Sequence, residues 1–86
     1  LALISREALK DPIFCEMVAK PRFSRPKTNK QAATTLLHTN RLIRPGKNFY
    51  AKAIGIKTGY HAKAKYNIVA ASRDGDRTLI AVLLGY

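Results

Sequence analysis

Tyr66-Asn67-Ile68-Val69-Ala70-Ala71-Ser72-Arg73-Asp74-Gly75-Asp76-Arg77-Thr78-Leu79-Ile80-Ala81-Val82-Leu83-Leu84 sets the architecture. Two β-branched, apolar runs flank an Asp-Gly dipeptide, the strongest short-range signal for a tight hairpin. Residues 66–72 are read as one strand and 77–84 as the next. The second run is apolar almost throughout, so it is expected to be a central strand buried on both faces. A third strand is read over 53–58, ahead of the hairpin. Arg44-Pro45-Gly46-Lys47-Asn48 is a turn signal before it.

Residues 1–19 carry helical spacing instead. Leu1, Ile4 and Ala8 share a face, and Ile13, Phe14, Met17 and Val18 repeat at i, i+3, i+4. Asp11-Pro12 between them reads as an N-cap followed by the first helical residue, which restarts the helix. Residues 20–31 hold Lys20, Arg22, Arg25, Lys27, Lys30 and two prolines. They are read as an irregular, exposed, basic connection within the domain. Part of 32–43 is expected to be helical. The fold class is therefore α+β, with helices packed on an antiparallel sheet.

Composition bounds the function without choosing it. The 86 residues make at most one small domain, and Leu1 in place of Met points to a piece of a longer protein. No apolar run reaches the roughly 18 residues of a membrane span. Sixteen Lys and Arg against five acids give a net charge of +11, a field that attracts anions of any kind. Cys15, the single cysteine, excludes an internal disulfide and reads as a small apolar residue. His38, His61 and Cys15 lack metal-ligand spacing, so neither a metal nor another cofactor is inferred.

The residues that carry chemistry are Gly55-Ile56-Lys57-Thr58-Gly59-Tyr60. Lys-Thr-Gly alone is a weak match, but here it ends a strand that feeds a hairpin, the context this motif needs. The order Thr39-Asn40-Arg41-Leu42-Ile43, then 55–60, then Ala64-Lys65-Tyr66-Asn67-Ile68-Val69-Ala70-Ala71-Ser72, then 77–85, resembles the serine-type D-alanyl-D-alanine carboxypeptidases. These are low-molecular-mass penicillin-binding proteins. Leu1-Ala2-Leu3-Ile4-Ser5-Arg6-Glu7-Ala8-Leu9 resembles a helix they carry upstream, so the likeness covers most of the chain.

The resemblance implies a C-terminal portion, residues 1–86, of a β-lactamase/transpeptidase-like domain. It implies a peptidoglycan stem peptide ending in D-Ala-D-Ala as substrate, β-lactams as ligands of the intact protein, and export to the periplasm or the outer face of the cytoplasmic membrane. Lys57 supplies a compact cation and Thr58 a hydroxyl for the terminal carboxylate. Gly59 lets a ligand backbone approach, the Tyr60 N–H forms half of an oxyanion hole, and His61 flanks the pocket where relatives often have Thr. Thr39 stands where some relatives carry a substrate-contacting Arg. Alternation puts Lys57 and Thr58 on opposite faces, so both serve one site only on an edge strand that twists along its groove.

The nucleophilic Ser-x-x-Lys of this family has no convincing match. Ser24-Arg25-Pro26-Lys27 fits formally, but 27–31 has no apolar face on which to form a packed helix. The isolated chain is therefore expected to be inactive, and its uncovered faces to drive self-association. Two other classes compete. A nucleic-acid module would use the basic surface with Tyr50, Tyr60 or Tyr66 as stacking platforms, but no such recognition signature is present and no nucleic acid is expected as partner. A non-catalytic cell-wall binder would reuse the strand without a nucleophile.

Overall fold

A computed structural model describes all 86 residues, Leu1–Tyr86. Helix α1 spans Ala2–Ala8 and α2 spans Pro12–Ala19. Asp11 caps α2: its Oδ1 accepts from the N–H of Ile13 at 2.8 Å and of Phe14 at 3.4 Å, with Pro12 at the first helical position. The break read at Asp11 is thus a true helix start. Neither helix is long and apolar enough to cross a membrane.

Five strands follow: β1 Arg22–Arg25, β2 Thr34–Leu37, β3 Ala53–His61, β4 Lys65–Asp74 and β5 Arg77–Leu84. The last three form an antiparallel sheet in the order β3-β4-β5. Lys57 faces Val69, Thr58 faces Ile68, Gly59 faces Asn67 and Tyr60 faces Tyr66 across the β3–β4 ladder. Asp74 pairs with Arg77, so Gly75 and Asp76 form the two-residue turn, and Gly75 takes the positive φ (63°) that such a turn needs.

Four expectations differ from the structure. Residues 20–31 are irregular only in part, because Arg22–Arg25 forms β1, which pairs with β2 antiparallel, Phe23 opposite Leu36. Pro21 and Pro26 bracket β1 rather than interrupt it. The Thr28 hydroxyl closes the connecting loop by accepting from the N–H of Lys30 and Gln31. Residues 32–43 hold no helix; Thr34-Thr35-Leu36-Leu37 is β2, as its β-branched pair favours. Strand β5 is the sheet's edge, not its centre, and most of it is exposed. Beside its partner strand β4, β5 has α1 against it, so its apolar run is covered along part of its length. Strand β3 also runs on to His61, which places Lys-Thr-Gly within the strand rather than at its end.

Six residues are buried: Ser5, Asn40, Ile43, Gly55, Ile56 and Ala71. Asn40 and Gly55 among them lie where α2 and the loop before β3 meet the sheet. A Cβ built on Gly55 would stand 3.0 Å from Val18 Cγ2, so α2 packs onto bare backbone. Gly55→Ala is expected to lower stability by about 1 kcal/mol through overpacking. Adding Val18→Ala should then cost less than it does alone. Urea unfolding of the four-variant cycle checks this; strictly additive values would contradict the contact.

Candidate functional site

Residues of β3, of β4 and of the loop 38–50 line an open groove of about 830 Å³. Lys57, Thr58, Gly59 and Tyr60 of β3 and Thr39, Asn40 and Arg41 of the loop all line it. Tyr66, Asn67 and Tyr86 close the end. Because β3 has no neighbour beyond β4, Lys57 and Thr58 both reach the groove although alternation starts them on opposite faces.

The loop is held by one buried amide. Asn40, 1% exposed, donates from Nδ2 to the Gly55 carbonyl at 3.2 Å, and its Oδ1 accepts from the Leu42 N–H at 2.9 Å. His38 orients this segment. Its Nε2 meets the Val18 carbonyl at 2.7 Å and its Nδ1 meets the Asn40 N–H at 3.1 Å. The carbonyl only accepts and the amide only donates, so the proton sits on Nε2. The chain of contacts α2–His38–Asn40–β3 thus fixes the loop against the strand. It lets the hydroxyls of Thr39 and Thr58 meet in a hydrogen bond across the groove.

Lys57 Nζ donates to the Thr58 carbonyl at 2.7 Å, which leaves ammonium donors free for a ligand. No acid pairs with Lys57: the three ion pairs are Lys10–Glu7, Lys20–Glu16 and Lys52–Asp74. The tyrosines form a wall, with ring centroids 4.6 Å apart for Tyr60–Tyr66 and 6.1 Å for Tyr66–Tyr86. Reciprocal backbone bonds between Tyr66 and Tyr86 (3.2 and 3.1 Å) hold its outer end.

His61 does not line the groove. Its Nδ1 accepts from the Lys63 N–H at 3.2 Å, which turns the ring toward the β3–β4 turn. Ser24 lies in β1 and Lys27 in the loop after it, so they are not one helical turn apart. Sequence reading assigned no role to Asn40, Arg41, Asn67 or Tyr86. Asn40 had a local signal, since its Oδ1 accepting from the N–H two residues on is an Asx turn.

Gly59 lies in open space. A Cβ at this position meets nothing within 4 Å. Gly59→Ala is therefore expected to keep or slightly raise the melting temperature, while weakening severalfold the binding of any extended ligand along the margin. Unchanged affinity in a calorimetric titration would contradict the close approach.

The helix–loop–sheet unit is a partial transpeptidase-like fold, as its likeness to solved structures shows. The Streptomyces K15 DD-transpeptidase superposes over 95% of this chain and 31% of its own with a TM-score of 0.79 and 30% identity. A D-alanyl-D-alanine carboxypeptidase from Mycobacterium tuberculosis does so over 94% and 28%, with a TM-score of 0.75 and 30% identity. In sequence, the chain is 34% identical over 86 residues to the D-alanyl-D-alanine carboxypeptidase DacF of Bacillus subtilis. No family model matches. The chain is thus a homologue of the D-alanyl-D-alanine carboxypeptidases, related to them over nearly all of its own length. It spans 21% of the Bacillus subtilis relative.

Proposed function

We propose that this chain is the C-terminal portion of the transpeptidase-like domain of a serine D-alanyl-D-alanine carboxypeptidase, and that the β3 margin holds the terminal carboxylate of a peptide ending in D-Ala-D-Ala. The observation that carries the reading is the convergence of Lys57, Thr58, Gly59 and Tyr60 on one open groove at a strand edge with no acid beside it. Lys57 and Thr58 bind the carboxylate through charge-assisted hydrogen bonds. The peptide backbone adds to β3 as a further strand. The Thr58 carbonyl, already taken by Lys57, marks the phase in which peptide groups of β3 turn outward. Tyr60, two residues on, shares that phase, so its N–H faces the substrate's developing oxyanion.

Chemistry needs a Ser-x-x-Lys pair from a segment outside these 86 residues. The Ser oxygen attacks the penultimate D-Ala carbonyl, an ester forms, and the amide breaks to release D-Ala with a proton on its nitrogen. Water then cleaves the ester. The same groove takes β-lactams in the complete enzyme, which works in the periplasm or at the outer face of the cytoplasmic membrane. The test is covalent labelling by a fluorescent penicillin. The 86-residue chain stays unlabelled, and a longer protein joining it to a Ser-x-x-Lys helix is labelled. Stoichiometric labelling of the short chain, or none of the long one, would overturn the reading.

Alone, the chain self-associates. Leu3 and Ile4 of α1 and Leu79 and Leu84 of β5 are each 60% or more exposed, beside an unpaired strand edge. Light scattering is expected to give a dimer or larger species, and Leu79→Lys with Leu83→Lys to shift it toward monomer. A monomer at every concentration would contradict this.

A further inference from the structure

We propose that His38 is a positioning residue for the groove, and that it holds the loop 38–50 to α2 and β3 only as the neutral imidazole with its proton on Nε2. Acid then releases the loop and weakens ligand binding. The effect on binding rests on the carboxylate-binding reading of Lys57 and Thr58; the effect on the loop does not.

The two ring nitrogens have opposite tasks. Nε2 donates to the Val18 carbonyl at 2.7 Å, and Nδ1 accepts from the Asn40 N–H at 3.1 Å. A single form of imidazole satisfies both, because a carbonyl only accepts and a backbone N–H only donates. The other neutral tautomer fails at both ends. The imidazolium keeps the Val18 contact, which its charge strengthens. Its Nδ1–H, however, meets the Asn40 N–H donor to donor. One proton thus breaks the link to the loop and leaves the link to α2.

The broken link is one the groove depends on. Asn40 is 1% exposed, so its N–H has no ready exchange of the ring for water. The same residue joins the loop to β3 through the Gly55 carbonyl. Thr39, between His38 and Asn40, lines the groove, and its hydroxyl bonds that of Thr58. Displacing Asn40 therefore draws Thr39 away from Thr58. The ring itself stays anchored, since the His38 N–H bonds the Pro21 carbonyl at 2.8 Å and Val18 packs on Gly55.

Nothing around the ring rescues the charged form. Lys20 after α2, Arg22 of β1 and Lys57 of β3 line one concavity with His38, and the loop itself carries Arg41 and Arg44. Glu16 of α2 pairs with Lys20 at 3.6 Å, and residues 17–73 contain no Asp or Glu. No carboxylate is placed to accept from Nδ1 in place of the lost contact. His61, the other imidazole, bonds the Lys63 N–H in the β3–β4 turn and lies outside the groove.

The experiment follows the ring nitrogens and backbone amides of the ¹⁵N-labelled 86-residue chain from pH 7.5 to 5.5, where histidines ordinarily gain their proton. It is run with and without a peptide ending in D-Ala-D-Ala. At pH 7.5 the bare nitrogen of His38 is expected to be Nδ1. As pH falls, the Asn40 amide should move in step with the His38 ring while the amides of β4 and β5 hold still, which separates loop release from unfolding. Peptide affinity should fall about three- to tenfold over the same range, the worth of one hydrogen bond. His38→Asn supplies a non-titrating acceptor for the N–H two residues on. It should flatten the pH dependence and retain more affinity at pH 7.5 than His38→Ala does. His61→Gln should leave the pH dependence in place. An Asn40 amide that ignores the titration of His38, a proton on Nδ1 at pH 7.5, or a His38→Asn chain that weakens in acid as steeply as the parent overturns the proposal. If Asn40 follows the ring but the peptide binds at no pH, the reading of the groove fails and the control of the loop by His38 stands.

Discussion

Lys57→Ala lowers the affinity of the chain for a D-Ala-D-Ala peptide by about 10- to 100-fold and leaves its melting temperature nearly unchanged. The size follows from losing a hydrogen bond in which both partners are charged, worth about 1.5–3 kcal/mol. The unchanged stability follows from exposure: Lys57 pairs with no acid and bonds only the carbonyl of its neighbour. Lys57→Arg retains the charge but replaces a compact ammonium with a planar fork, so it recovers only part of the affinity. In a longer protein that carries the Ser-x-x-Lys pair, the same change is expected to remove most of the carboxypeptidase turnover. Isothermal calorimetry alongside thermal melting checks both halves. Alanine-level binding equal to the parent chain would remove Lys57 from the site.

Asn40→Ala produces the largest loss of stability, roughly 2–4 kcal/mol. The Gly55 carbonyl, on a buried residue, is left without its donor, and the Leu42 N–H loses its acceptor. With six of 86 residues buried, the chain has little stability in reserve, so the cooperative thermal transition is expected to flatten or disappear. Asn40→Asp is the sharper probe. It keeps the acceptor for Leu42 but sets a carboxylate oxygen against the Gly55 carbonyl, so it destabilises as much as alanine does. If Asn40→Asp melted like the parent chain, the amide would not be what joins the loop to β3.

Local signals were enough where a residue's own neighbours determined its conformation. Asp11-Pro12 was legible as a helix start because capping is settled within four residues. Asp74-Gly75-Asp76 was legible as a hairpin because the turn needs a positive φ that Gly adopts freely. The strand pair Arg22–Arg25 and Thr34–Leu37 was hidden because each is four residues long and mostly exposed, so no alternation of burial marks it. Strand β5 misled for the opposite reason. An apolar run reports what a strand can bury, and order in the sheet depends on which neighbours are there to cover it.

The lining of the groove was only partly readable from the sequence. Lys57, Thr58, Gly59 and Tyr60 could be picked out from a strand context, and the structure brings them to one groove. The loop residues of that lining could not be read the same way. Thr39, Asn40 and Arg41 precede Lys57 by 16 or more positions, and it is the His38 and Asn40 hydrogen bonds that bring them to the strand. His61 adjoins the motif in sequence, yet its bond to the Lys63 N–H commits it to the turn.

One measurement bears most directly on the β3 margin as a receptor for a C-terminal anion. The amide resonances of the isotopically labelled chain are followed while a peptide ending in D-Ala-D-Ala is added, and again with the same peptide carrying a C-terminal carboxamide. The expected result is a saturable shift at residues 57–60 and at Thr39 with the acid, and almost none with the amide. Equal shifts with both peptides, or shifts confined to the basic hairpin β1–β2, would contradict it.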